Sequence, residues 1–106
     1  MIENIPAEIW TQSLNEYQIF DVRTPAEWAE GVLQNARCVA LYDDLGSFNT
    51  NFVQEIQSAL DGSDKILAFI CRSGGRSEIA ARIVLDELGI RGVNLDGGML
   101  ALEKEA

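Results

Sequence analysis

The chain has 106 residues, 47% of them apolar, and carries 8 Lys and Arg against 17 Asp and Glu, a net charge of −9. That length and apolar content suffice for one ordinary hydrophobic core, so a single domain spanning residues 1–106 is expected. The negative charge opposes binding to nucleic acid or an anionic membrane, because affinity for such polyanions comes mainly from Lys and Arg. The first residues, Met1 to Pro6, form neither a basic stretch nor a long apolar one, and no apolar run approaches the roughly 18 residues that span a bilayer. A soluble, cytoplasmic protein is expected.

Cys38 and Cys71 are too few for a disulfide scaffold and are not spaced as a CxxC pair, so both are expected as reduced thiols. The chain has no histidine. That removes Ser-His-Asp and Cys-His catalysis, imidazole proton shuttles and His-based metal sites together, and neither a metal nor a cofactor is expected. Any nucleophile must be activated by other groups.

In chain order, helical periodicity over Pro6 to Leu14 precedes a β-branched and aromatic run, Tyr17 to Val22. Thr24-Pro25-Ala26-Glu27 combines an N-cap hydroxyl, proline at the first helical position and glutamate at the third, which starts a helix over Pro25 to Glu30. A short strand is predicted over Ala36 to Leu41, an irregular loop over Tyr42 to Asn49, and a helix over Asn51 to Leu60. Lys65 to Ile70 reads as a buried strand, Ser77 to Leu88 as a long helix stopped by Gly89, and Gly92 to Leu95 as a last strand. In the long helix, Ile79, Ala80, Ile83, Val84 and Leu88 are expected to face the core, with Arg82 and Asp86 four apart on the solvent side. Strands alternating with helices imply an α/β fold with a mostly parallel sheet covered on both faces.

Cys71 therefore sits at a strand's carboxyl end, ahead of Arg72-Ser73-Gly74-Gly75-Arg76 and a helix starting near Ser77. In open parallel sheets ligands bind at such ends. The glycines allow the backbone to curl so that successive N–H groups form an anion-binding nest, to which the helix adds the positive end of its dipole. Arg72 and Arg76 add positive charge, and together these groups favour a thiolate at Cys71 without a histidine. The competing reading is a small buried cysteine that ends a strand, with the glycines making a tight turn. Two arginines and two glycines within five residues favour the functional reading.

At these residues the sequence resembles the rhodanese domain family over nearly the whole chain. Asp21-Val22-Arg23-Thr24-Pro25-Ala26-Glu27-Trp28 matches its Asp-Val-Arg-x-Pro-x-Glu-aromatic signature, and Asp96-Gly97-Gly98-Met99 matches its closing Gly-Gly turn. Gly31 to Ala36 stands where its Gly-His-Ile-x-Gly-Ala segment belongs, with Val32 for the histidine and Asn35 for a glycine, and Leu102 replaces a frequent tryptophan. The resemblance implies a five-stranded parallel sheet flanked by helices, and a sulfurtransferase in which Cys71 takes sulfane sulfur from thiosulfate or another small anionic donor as a persulfide. Cyanide or a thiol would be the acceptor. Arg72, Ser73, Gly74, Gly75, Arg76 and Ser77 would bind the donor and the persulfide. Related oxyanion hydrolases use a longer Cys-x5-Arg loop, whereas the spacing from Cys71 to Arg76 is Cys-x4-Arg, which favours sulfur. A relay module fed with sulfur by a partner protein is the alternative from another class.

Asp21 and Arg23 lie at a strand end and are expected in a supporting role, Asp21 holding Arg23 or a loop amide. Glu27 is expected to act locally in the helix cap, and Trp10 and Trp28 as core or rim residues. Cys38 reads first as a buried core cysteine; the alternative is a resolving thiol that attacks a Cys71 persulfide.

Overall fold

The computed structural model describes residues 1–105. Five strands, β1 (Glu3–Ile5), β2 (Tyr17–Asp21), β3 (Arg37–Cys38), β4 (Ile66–Ile70) and β5 (Val93–Leu95), form one parallel sheet in the order β1-β5-β4-β2-β3. The helices are α1 (Ala7–Trp10), α2 (Pro25–Trp28), α3 (Phe52–Ala59), α4 (Gly75–Leu88) and α5 (Gly98–Glu105), with a 3-10 turn at Leu14–Glu16. No helix among the described residues is long and apolar enough to cross a membrane.

The two-residue period of the central strands divides their side chains between two apolar layers. Phe20, Leu67 and Phe69 pack with Phe52 and Ile56 of α3 and with Ala80, Ala81 and Val84 of α4. Tyr17, Ile19, Ala68 and Ile70 pack on the other face with Trp10 of α1, and Met99, Ala101 and Leu102 of α5 close that layer. Cys71, two residues beyond Phe69, falls in the first layer, under α3 and α4. The chain leaves β2 toward β3 at one edge and leaves β4 toward β5 on the other side. The carboxyl ends of β2 and β4 thus flank the crevice where the strand order reverses.

The α/β architecture and parallel sheet agree with the sequence reading, and several elements differ in detail. The predicted helix over Pro6 to Leu14 stops at Trp10, where the Thr11 hydroxyl donates to the Ala7 carbonyl (2.6 Å) and Ser13 Oγ to the Ile9 carbonyl (2.9 Å). Side chains that bond back to the chain in this way compete with helix continuation. The fifth strand is β1, which is short, largely exposed and polar at Glu3 and Asn4, so it has no apolar signature. In α4 the buried face is Ser77, Ala80, Ala81 and Val84, whereas Ile79 is 44% exposed. At 100° per residue, Ile79 lies off the stripe defined by 77, 81, 84 and 88, which corrects the expectation that it faces the core. Arg82 pairs backward with Glu78 (3.4 Å).

Candidate active site

β4 ends at Ile70, whose carbonyl accepts from Val22 N–H (3.0 Å), and Cys71 is the first residue past the strand. Helix α4 begins at Gly75, two residues earlier than expected, so Arg72, Ser73 and Gly74 alone make the turn. Gly74 is the N-cap with φ 111°, a left-handed conformation that L side chains rarely adopt, and a Cβ there would also press on the Gly97 amide at 3.3 Å. Gly75 lies in the first helical turn, with nothing within 4 Å of a Cβ position. Of the two glycines, only Gly74 has a left-handed φ in the curl.

The result is a donor cradle around the Cys71 sulfur. Gly74 N–H donates to Sγ at 3.1 Å and Ser77 Oγ lies 3.3 Å from it, while Cys71 is 1% exposed. Both groups stand in the N-terminal turn of a 14-residue helix, at the positive end of its dipole. The turn is braced from below by the N-terminus of α5: Met99 N–H donates to the Cys71 carbonyl (2.9 Å) and Leu100 N–H to the Arg72 carbonyl (3.0 Å). Gly98 permits that approach, since any Cβ on it would overlap the Cys71 carbonyl and come within 2.6 Å of the Arg72 carbonyl.

The arginines divide by environment. Arg72 is exposed and forms no salt bridge among the described residues. Arg76 reaches across to α2 and binds Glu27 through both oxygens, at 2.7 and 2.9 Å. Glu27 also accepts from the N–H and Oγ1 of Thr24, so it completes the expected capping box and neutralises Arg76 together. The Arg76 hydrogen bonds, reinforced by those of Thr24 and opposed by burial, hold the Glu27 carboxyl down at about 2. The same partner raises the pKa of the Arg76 guanidinium. The sequence indicated the local cap and not this pairing.

Asp21 and Arg23 are 0% and 5% exposed and form a buried ion pair, with Arg23 Nε 3.0 Å from each carboxylate oxygen and Nη2 2.7 Å from Oδ2. Asp21 also accepts from the Arg23 backbone N–H (3.0 Å) and Trp28 Nε1 (3.2 Å), and Arg23 donates to the Gly31 carbonyl (2.7 Å). These bonds tie the end of β2 to α2 and the segment after it; Asp21 holds Arg23 and accepts from no amide of the Cys71 turn. Asn35, standing where the resemblance expects glycine, is the one non-glycine residue with positive φ (69°) among the described residues. Asparagine tolerates that conformation better than other side chains do.

Cys38 is exposed at edge strand β3, which corrects its reading as a core cysteine. Partial loss of water around its thiol and the Asp21 charge push its pKa up, with Arg23 opposing. It is in register with Asp21, which is itself opposite Ile70, so strand β2 separates it from Cys71. Two inter-strand spacings put the Cα atoms roughly 10 Å apart. A disulfide needs under about 7 Å, so resolution by Cys38 would require backbone movement.

Asn94 was missed. It is 2% exposed, with Nδ2 donating to the Gly74 carbonyl (3.1 Å) and Oδ1 accepting from Ser77. Its signal in the sequence is an amide within the apolar run Val93-Asn94-Leu95 of a strand covered on both faces, where a buried polar group must find partners.

Comparison with known proteins agrees with this geometry. Residues 6–105 match the model of the rhodanese-like domain. YtwF of Bacillus subtilis, provisionally assigned as a sulfurtransferase, is 39% identical over 90 residues, covering 85% of this chain and 77% of its own. A protein of Allochromatium vinosum named sulfurtransferase is 28% identical over 104 residues, covering 95% of this chain and 88% of its own. The crystal structure of a rhodanese-related protein from Thermoplasma volcanium superposes with a TM-score of 0.75 at 27% identity, covering 98% of this chain and 93% of that one. A helix-capped cysteine cradle at the switch point of a five-stranded parallel sheet, together with these matches, places the chain in the rhodanese-like domain family.

Proposed function

We propose that this protein is a sulfurtransferase that carries sulfane sulfur on Cys71. The observation that carries the reading is the Gly74 N–H that donates to the Cys71 sulfur at 3.1 Å, with the Ser77 hydroxyl 3.3 Å from it. Family membership and the sulfurtransferase names of two relatives support it. The Cys71 thiolate attacks the outer sulfur of thiosulfate or a related donor; a new S–S bond forms, the old one breaks, and sulfite leaves with its electron pair. The negative charge then rests on the terminal sulfur of the persulfide, at the N-terminal end of α4. Cyanide or a thiolate attacks that sulfur, departs as thiocyanate or a persulfide, and regenerates the Cys71 thiolate. Arg72, Ser73 and Gly75 line the exposed rim of the turn and meet the donor, while Gly74 and Ser77 serve the sulfur.

One observation favours a second reading, a relay fed by a partner protein. Glu27 already compensates Arg76, which leaves Arg72 as the loop cation without a salt bridge among the described residues, on a chain of net charge −9. That is weak equipment for capturing a small dianion, whereas a persulfide delivered by a docked protein brings its own binding energy.

Intact mass after incubation with thiosulfate and desalting tests both readings. A gain of one sulfur atom, removed by cyanide as thiocyanate and absent in Cys71→Ala, is the expected result. Loading only from a protein persulfide donor would select the relay, and loading in Cys71→Ala would overturn both.

A further inference from the structure

Asn94 occupies the middle of β5, opposite Asn4 on β1 and Phe69 on β4. Its amide is engaged by three partners on two other segments. Nδ2 donates to Asn4 Oδ1 (2.8 Å) on β1 and to the Gly74 carbonyl (3.1 Å) at the N-cap of α4, and Oδ1 accepts from the Ser77 hydroxyl in the first turn of α4. The two acceptors at Nδ2 fix the amide's orientation and aim its oxygen at Ser77. Gly74 N–H donates to the Cys71 sulfur, and the Ser77 hydroxyl, whose one proton is directed to Asn94, stands within reach of it. Asn94 therefore grips both arms of the cradle from behind without touching the sulfur.

Ser77 has a single hydroxyl proton and three acceptors in reach: Asn94 Oδ1, the Gly74 carbonyl at 3.2 Å and the Cys71 sulfur at 3.3 Å. Where its oxygen sits is consequently set by Asn94, and so is its distance to sulfur. We propose that Asn94 is a positioning residue of the sulfur site, fixing the Ser77 hydroxyl beside the Cys71 sulfur and holding on its own Oδ1 the proton that Ser77 would otherwise donate there. This deepens the sulfur-carrier reading and rests on it for its purpose. Its physical content is the reactivity of the Cys71 thiol alone.

That reactivity is measurable without any sulfur transfer. In a Cys38→Ser background, so that one thiol reports, the rate of alkylation by iodoacetamide is followed from pH 5 to 10 for the parent, Asn94→Leu, Ser77→Ala and the double variant. Asn94→Leu removes all three hydrogen bonds and keeps the branched outline of the side chain. The charged groups on the elements packed about the site are Arg72 on the turn, Arg76 on α4, Glu27 on α2, Asp21 on β2 and Asp96 after β5. All are retained in each variant, so a displaced profile reports the cradle.

The expected result is a profile displaced to lower pH in Asn94→Leu, with alkylation at neutral pH about tenfold faster, as for gain of a hydrogen bond to a charged group once the Ser77 proton is released to the sulfur. The double variant should lose that gain and alkylate like Ser77→Ala, because the Asn94 effect passes through the Ser77 hydroxyl. If Asn94→Leu does not fold, Asn94→Ser supplies the same comparison, with a hydroxyl too short to reach both partners. An unmoved profile in a folded Asn94 variant, or strictly multiplicative effects, would overturn the proposal. Failure of sulfur loading with a displaced alkylation profile would refute the sulfurtransferase reading and leave Asn94's role intact.

Discussion

Replacing Glu27 with Gln keeps acceptor oxygen for the Thr24 cap and removes the charge that faces Arg76. The consequence for stability follows from the carboxyl's displacement from 4.5 to about 2, caused first by the Arg76 hydrogen bonds. At about 1.4 kcal/mol per pH unit this sets a ceiling of about 3 kcal/mol. The paired side chains of Arg76 and Glu27 keep 28% and 21% of their exposure, so water screens the pair, and about 1–2 kcal/mol is expected. Because the folded-state value is depressed, the contribution is fully present above pH 4.5, where Glu27 is ionised whether folded or not. It is lost as pH falls toward 2, where the folded protein also takes up the proton. Urea denaturation of both proteins at pH 7, 5, 3.5 and 2.5 measures this. The two stabilities should differ by the full amount at pH 7 and 5 and draw together below 4.5. A difference that stays constant to pH 2.5, or none at pH 7, would refute the assignment of Glu27 as the ionised partner of Arg76. The same substitution releases the Arg76 charge, so sulfur loading from thiosulfate should saturate at lower donor concentration in the Glu27→Gln variant; an unchanged requirement would show that Arg76 does not meet the donor.

Gly74→Ala forces a side chain into φ 111° against the Gly97 amide and should cost at least about 1 kcal/mol in urea denaturation, together with loss of sulfur loading. Gly75→Ala, in the first turn of α4 with open space around it, should be neutral or stabilising by about 0.4–1 kcal/mol; equal damage from both would refute the left-handed turn at Gly74. Asp21→Asn leaves Arg23 buried at 5% exposure without a counter-charge and should destabilise by about 3–5 kcal/mol in the same assay, whereas a loss below about 1 kcal/mol would mean that water reaches the guanidinium.

What the sequence determined by itself was carried by neighbours along the chain. The Thr24–Glu27 cap, the alternation of strands and helices, and a cysteine between strand β4 and helix α4 are local patterns, because periodicity and capping act within one or two turns. The family signatures likewise occupy short contiguous stretches. What only the tertiary structure decided are partnerships between distant residues. Glu27 and Arg76 are 49 positions apart, and nothing in either segment names the other. Strand β1 became visible only through its pairing with β5, since three residues at an exposed edge need no apolar pattern. Cys38 left the core because β3 shrank to two residues at the sheet's other edge, where one face meets solvent. Asn94 and Gly98 acquire their meaning from what folding brings against them: the neighbours of the Cys71 sulfur and the carbonyls of its turn. A chain's local preferences choose its elements, but the charge, depth and bracing of the sulfur site come from contacts that exist only once the sheet has closed around it.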